Sequence, residues 1–113
     1  MSGNVWVKSG RVMNLFSGSG VTSTGAGSFV YKDSPKASFH ATVIGTGTVT
    51  AVIDIEYSND GTYALETKGG TITLSGSTYS SDGLTSDSPW KYVRANVTSI
   101  SGTNATVQVT MGV

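Results

Sequence analysis

The stretch Val49-Thr-Ala-Val-Ile-Asp-Ile-Glu-Tyr57 alternates between two kinds of side chain and decides the fold class. Its odd-numbered residues are all apolar or aromatic, whereas three of the four even-numbered ones are polar. A period of two over nine residues predicts a β-strand with one buried face. The Ser58-Asn-Asp-Gly61 sequence that follows predicts a tight turn, because Asn, Asp and Gly tolerate positive φ.

Shorter segments of the same type bring the expected total to seven or eight strands, with no helix of ten residues. Val and Ile number 18 against 7 for Leu and Met, and β-branched side chains suit a pleated sheet better than a helix. We therefore predict an all-β chain that forms one antiparallel β-sandwich with jelly-roll or immunoglobulin-like topology. The final strands, 90–100 and 105–111, are predicted to form a hairpin around Ser101-Gly-Thr-Asn104.

The chain divides by composition into two parts of one domain. Residues 38–113 contain the clearest strand patterns and are predicted to form the sandwich core. Residues 1–37 are predicted to supply an N-terminal arm, edge strands and a flexible loop. That loop is the stretch 17–28, which is rich in Gly and Ser and looks too polar to pack.

Composition excludes several classes of function. Seven basic residues balance seven acidic ones among 113, and no cationic cluster is present to displace counterions, so no nucleic-acid partner is expected. The absence of Cys removes disulfides, thiolate nucleophiles and thiolate metal sites. No apolar run is long enough for a membrane helix, and the first residues lack the features of a secretory signal. We therefore expect a protein that folds in a cytoplasm and has no membrane partner.

No enzyme, cofactor-binding site or metal site is predicted. His40 is the only histidine, and it lies in the middle of a strand. Asp54 and Glu56 share a strand face and could act as an acid–base pair, but such pairs are more typical of a solvated face. The loop carboxylates could bind Ca²⁺, but the glycines beside them predict simple turns. Gly45-Thr-Gly47 and similar pairs lack the third glycine and the following helix that phosphate binding needs.

Two features leave alternatives open. The aromatic residues could form a platform for stacking on sugar rings, or they could fill a small core or a subunit interface. They are Trp6, Tyr31, Tyr57, Tyr63, Tyr79, Trp90 and Tyr92. The apolar stub Val5-Trp6-Val7 could add as a strand to a neighbouring subunit, or it could form an edge strand of its own sheet.

Several runs between residues 38 and 112 resemble small virion proteins of tailed bacteriophages. The most distinctive is Pro89-Trp-Lys-Tyr-Val-Arg94, which continues as Ala-Asn-Val97. The others are Ala51-Val-Ile-Asp-Ile-Glu-Tyr-Ser-Asn-Asp-Gly61, Gly70-Thr-Ile-Thr-Leu-Ser-Gly76, Ser80-Ser-Asp-Gly83 and Ser101-Gly-Thr-Asn-Ala-Thr-Val-Gln-Val-Thr-Met111. Proteins of this kind are generally capsid decoration (cement) proteins, or small neck, tail or fibre components.

The resemblance implies a structural protein of the virion, assembled in the host cytoplasm. Its expected partner is the major capsid protein or another virion protein, which it would bind to stabilise the head. It implies a homo-oligomer, with a trimer favoured, and it implies no catalytic residues. Aromatic and Arg side chains favour interface centres, so the candidate contact residues are Val5, Trp6, Val7, Trp90, Tyr92 and Arg94. The alternative is a neck, tail or fibre component that binds a glycan or receptor on the host surface.

Overall fold

A computed structural model of the protein describes residues 11–65 and 69–113, which form an all-β structure. Its strands are β1 (Val12–Asn14), β2 (Gly25–Ala26), β3 (Val30–Tyr31), β4 (Lys36–Ser58), β5 (Thr71–Asp87) and β6 (Tyr92–Gly112). They form one open antiparallel sheet in the order β1-β6-β4-β5, and β2 and β3 also pair with β6. The all-β prediction is confirmed. The described residues form six strands, three of them long, and do not confirm the predicted seven or eight short strands of a sandwich.

Strand β4 folds back on itself within its 23 residues. Phe39 and Tyr57 lie 18 residues apart in this strand, a separation that would span about 60 Å in a straight strand. Their ring centroids are nevertheless only 6.4 Å apart. The Tyr57 hydroxyl also donates a hydrogen bond of 2.7 Å to Ser86 Oγ, and Ser86 is paired with Ala37 at the start of β4. The two ends of β4 therefore face each other across the core.

The bend occurs at corresponding positions in all three long strands. The register of β4 with β5 shifts between Ile44 and Thr48, and its register with β6 shifts in the same region. Left-handed backbone is found here at Gly47 (φ 73°), Thr78 (φ 64°) and Gly102 (φ 130°). A Cβ atom on Gly102 would also lie 2.9 Å from the Thr48 carbonyl oxygen. Glycine at 102 is therefore required by both backbone conformation and close approach.

The predicted C-terminal hairpin is wrong. Residues 90–100 and 105–111 do not pair with each other, because β6 runs through Ser101–Asn104 as one strand and both of its halves pair with β4. Gly102 and Asn104 do adopt positive φ, as a turn sequence predicts. These residues bend the strand instead of reversing it, because each half of β6 follows the corresponding half of the folded β4.

The core fills the space enclosed by the folded sheet. It is supplied by alternate residues of β4, β5 and β6 together with two residues that follow β1. The largest members are Leu15, Phe16, Phe39, Val43, Val49, Ile53, Ile55, Tyr57, Ile72, Leu74, Val93, Val97, Val107, Val109 and Met111. The buried odd-numbered residues of β4 include all those of the 49–57 alternation, so the face assignment made from sequence is confirmed.

Residues 76–89 are mostly polar, yet their first twelve residues, 76–87, form the second half of β5. It pairs residue by residue with the first half of β4, from Tyr79 opposite Ile44 to Asp87 opposite Lys36. Ser, Gly and Asp fill eight of its twelve positions, and these residues give no β-propensity signal strong enough to mark a strand in a single sequence. The apolar face of its partner β4 provides the missing driving force.

Residues 17–28, the predicted flexible loop, lie along β6. Val21 exchanges both backbone hydrogen bonds with Val107, and the Gly27 amide donates to the Ala95 carbonyl. The Gln108 side chain donates to the carbonyl oxygens of Phe16 and Gly18. Backbone contact of this kind compensates for the low apolar content of the segment.

The predicted Ser58–Gly61 turn is confirmed. Ser58 Oγ accepts hydrogen bonds from the amides of Asp60 and Gly61, and Asp60 Oδ1 accepts from Thr62 and Tyr63. The Tyr63 and Thr62 amides, followed by the Ser58 hydroxyl, lower the pKa of the exposed Asp60 carboxyl from its usual value of 3.8. Past the turn, Leu65 donates to the Tyr57 carbonyl. Residues 66–68, which follow Leu65, lie outside the described residues.

Candidate functional site

The outer side of the second half of the sheet presents a group of aromatic and polar side chains, which we call the aromatic–arginine surface. It comprises Phe29, Tyr31, Tyr92 and Arg94. Tyr92 and Arg94 alternate on β6 with the buried Val93, so they point away from the core. Tyr31 is the partner of Tyr92 in the sheet, and their rings meet edge to face with centroids 5.6 Å apart.

Arg94 is fixed in place from two sides. Its Nε donates to Glu56 Oε1 at 2.7 Å, and its guanidinium lies 4.6 Å from the centroid of the Phe29 ring. Glu56 Oε2 accepts a second hydrogen bond, of 3.0 Å, from Asn96 Nδ2. The Glu56 side chain is only 6% exposed and that of Arg94 is 26% exposed. A charged group held this way loses little conformational entropy when it contacts a partner.

The tyrosines supply the exposed part of this surface. Tyr31 is 57% exposed, while Tyr92 is half-buried and has the Ser58–Gly61 turn beside it, with Gly61 close to its ring. Tyr63, just after the turn, is 78% exposed. Tyr side chains with only two rotatable angles offer large contact areas at low entropic cost. The geometry suits contact with another macromolecule.

The structure brings together two of the six predicted contact residues. Tyr92 and Arg94 lie next to each other on the aromatic–arginine surface, whereas Trp90 is half-buried and packs against the core. Val5, Trp6 and Val7 lie outside the described residues. Phe29 was missed, while Tyr31 and Glu56 were considered only for a sugar-stacking platform and an acid–base pair. Their link to Arg94 was not predicted, because it depends on strand pairing between distant segments.

The carboxylates of Asp54 and Glu56 are both engaged in hydrogen bonds within the sheet. Glu56 is bound by Arg94 and Asn96, and Asp54 Oδ1 accepts a hydrogen bond of 2.7 Å from Thr71 Oγ1. Glu56 is buried instead of lying on a solvated face as predicted. A general acid or base needs access to substrate protons, and the burial and pairing of Glu56 give it a structural role.

The sequence did not indicate a partner for His40, but the structure does. His40 Nε2 and Ser81 Oγ are hydrogen-bonded on the exposed outer face of the first half of the sheet, and Ser81 Oγ lies 2.9 Å from Thr42 Oγ1. Among the described residues, no carboxylate hydrogen-bonds the other ring nitrogen of His40. A nucleophile–base pair also needs oxyanion donors and a substrate pocket. Neither His40 nor Ser81 lines the cavities around Val12, Phe16 or Tyr31.

Lys32 is the most deeply buried basic residue described, with 1% of its surface exposed. Its Nζ donates to the carbonyl oxygens of Ser34 at 2.7 Å and Ser88 at 2.5 Å, and it lies 5.7 Å from the Tyr57 ring centroid. Burial, with a smaller contribution from nearby Lys91, lowers the pKa of this ammonium from 10.5. Lys32 thus joins the loop after β3 to the end of β5.

A cleft of about 490 Å³ lies between the segment after β1 and strands β2 and β3. Its floor includes Leu15, Phe16 and Val30, and its rim carries hydroxyls such as those of Ser23 and Thr24. The described lining contains no charged side chain. A cleft of this size and chemistry falls in the range of sites for small neutral ligands.

Two further kinds of feature were sought in the described parts of the chain: clusters of metal-ligating side chains and membrane-spanning helices. Across residues 11–65 and 69–113, no three His, Asp or Glu side chains come close enough together to hold a metal ion. No helix in these ranges could cross a membrane.

No protein-family model matches the chain, and comparison with curated proteins and with solved structures gives no significant match.

Proposed function

We propose that this protein is a structural protein of a bacteriophage virion, and specifically a capsid decoration protein that binds and stabilises the head. The proposal starts from the resemblance of residues 38–112 to small virion proteins. The observation that carries it furthest is the aromatic–arginine surface, because the distinctive Pro89–Arg94 run of that resemblance supplies Tyr92 and Arg94 to it.

The mechanism we propose is attachment through a preorganised contact face. Arg94 is already oriented by Glu56 and Phe29, so docking does not have to order it. Tyr31 adds exposed aromatic area to this surface. The partner is the major capsid protein or another virion protein. Many copies on a repeating surface give a large total effect from a modest interface, because multivalent attachment multiplies weak contacts.

We also propose that the doubled-over sheet is a β-sandwich made from one continuous sheet. The contact between Phe39 and Tyr57 supports this arrangement, since two layers must face each other to bring these rings together. The bond from Tyr57 to Ser86 supports it further. Such a compact β-module suits a protein that must stay folded on the outside of a particle without disulfides.

A glycan- or receptor-binding component of the neck, tail or fibre is the second candidate. The uncharged cleft bounded by Leu15, Phe16, Ser23 and Thr24 favours it, because neutral sugars pack an apolar ring face and hydrogen-bond through hydroxyls. An enzyme has the least support from the described residues, since Glu56 is held by Arg94 and Asn96 and the His40–Ser81 contact lies on an exposed face.

Copy number in purified virions separates these functions. We expect quantitative mass spectrometry of virions from the source of the sequence to find this chain in a simple ratio to the major capsid protein. Repetition on the capsid lattice is the physical reason for that ratio. A dozen copies or fewer per particle would instead favour the neck, tail or fibre function. Complete absence from virions would refute both.

A further inference from the structure

We propose that β5 is a pairing edge through which two copies of this chain join their sheets in an antiparallel, two-fold dimer. Among the described residues, β5 pairs along its length with β4 alone, which leaves its other side open over Thr71–Asp87. An open edge presents a row of unpaired N–H and C=O groups that a second strand can bind. This inference concerns the isolated chain and does not depend on the proposed function.

The hydrogen bonds at the two ends of β5 show which of its backbone groups face the open edge. Ser88 donates to Pro35 and Ile55 to Gly70, and these pairs continue the β4–β5 register at its two ends. Backbone groups point to alternate sides along a strand, so even-numbered residues of β5 point to β4 and odd-numbered ones to the open edge. The alternation is interrupted at Thr78, where φ is positive and the register shifts. The outward set is therefore Thr71, Thr73 and Ser75 before it, and Ser81, Gly83, Thr85 and Asp87 after it.

The side chains of β5 do little to prevent pairing. Natural edge strands are commonly protected by Lys, by Pro or by inward-pointing charges. Strand β5 contains no Lys, Arg or Pro, and its two charged residues, Asp82 and Asp87, both lie in its second half. The first half, Thr71–Ser77, is uncharged and consists mainly of Ser, Thr and branched apolar residues, which favours strand addition.

Two outward amides are already occupied within the chain. Ser75 donates to Ser80 Oγ at 3.2 Å, and Gly83 donates to Asp82 Oδ1 at 2.8 Å. Each bond removes one donor from the row that a second strand would use. These side chains therefore weaken the pairing edge, and their removal should strengthen association.

The geometry favours a second copy of the chain as the partner of the β5 edge, and it favours two-fold symmetry between the two copies. The opposite margin of the sheet is formed by β1, β2 and β3, of 3, 2 and 2 residues. A head-to-tail ring, such as the trimer that the resemblance implies, would have to pair the 17 residues of β5 with the short, interrupted strands of the opposite edge. Two β5 edges are equal in length and self-complementary when antiparallel, as an isologous interface requires.

The test replaces outward-facing threonines by proline. Thr73→Pro and Thr85→Pro each remove one outward N–H while leaving the ladder with β4 intact, because neither amide donates to β4. Thr73→Val and Thr85→Val are the matched controls, which keep the N–H. Sedimentation equilibrium of the purified full chain measures association, and circular dichroism confirms the β-structure of each variant.

We expect the wild type and both Val variants to form dimers and the double Pro variant to bind itself at least about tenfold more weakly. Ser80→Ala, which frees the Ser75 amide, should dimerise more tightly than the wild type. Amide hydrogen exchange of the wild type gives a readout that needs no variant, since Thr73 or Thr85 should gain protection as concentration rises. A monomer at all concentrations, a trimer, or dimers unaffected by both prolines would overturn the proposal.

Discussion

Phe39→Ala is expected to lower the free energy of unfolding by about 3–5 kcal/mol, the usual cost of removing a buried phenyl ring. Phe39 is 1% exposed, and its ring packs against Tyr57 from the far end of the same strand. The substitution leaves a cavity where the two ends of β4 meet. Because a domain of this size is stable by only about 5–15 kcal/mol, a chemical-denaturation curve should show a large shift of the midpoint.

Ile44→Thr provides the matched control for this substitution. Ile44 lies in the same strand, also pairs with β5 and β6, and is 54% exposed. Threonine keeps the β-branched shape, so we expect a change within about 0.5 kcal/mol. If Phe39→Ala were no more destabilising than Ile44→Thr, β4 could not fold back as described.

Glu56→Ala is expected to cost about 2–4 kcal/mol, because it leaves the Arg94 guanidinium and the Asn96 amide without their acceptor in a mostly buried position. Both donors lie on β6, opposite the second half of β4. Asp54→Ala is the control on the same strand face, since it removes only the bond from Thr71. We expect this control to cost less than about 1 kcal/mol by thermal or chemical denaturation.

A double-mutant cycle separates the ion pair from general packing. Glu56→Ala combined with Arg94→Ala should cost less than the sum of the two single substitutions, because the double variant has no unpaired charge at this position. Strict additivity, or equal losses for Glu56→Ala and Asp54→Ala, would show that Glu56 does not hold Arg94 in place.

Local pattern was sufficient to predict the all-β class, the buried face of residues 49–57 and the turn at Ser58–Gly61. Each depends on neighbours in sequence: the alternation of Ile53 and Ile55 with polar residues, or the side chain of Asp60 binding the next amides. These signals survive in a single sequence because the physics that causes them acts over a few residues.

The predictions that failed depend on pairing between distant segments. Gly and Asn at 102 and 104 predicted a reversal, but β6 only bends there because both halves stay paired with β4. The polar stretch 76–89 gave no strand signal, although residues 76–87 extend β5 along an apolar partner strand. Within the site, the sequence identified Tyr92 and Arg94 as contact residues. It did not reveal that Glu56 binds Arg94. Alternation shows only which face of β4 Glu56 occupies, whereas its partner depends on the pairing register of β4 with β6.

The claim that the aromatic–arginine surface attaches this protein to the virion is tested most directly by binding to particles assembled without it. Tyr31→Ser removes a ring that is 57% exposed from that surface. Tyr79→Ser is the control, because it removes a ring that is 63% exposed from the other half of the sheet. We expect Tyr31→Ser to bind at least about tenfold more weakly in co-sedimentation with the particles, and Tyr79→Ser to bind like the wild type. Equal binding by both variants, with both correctly folded, would contradict this assignment of the contact surface.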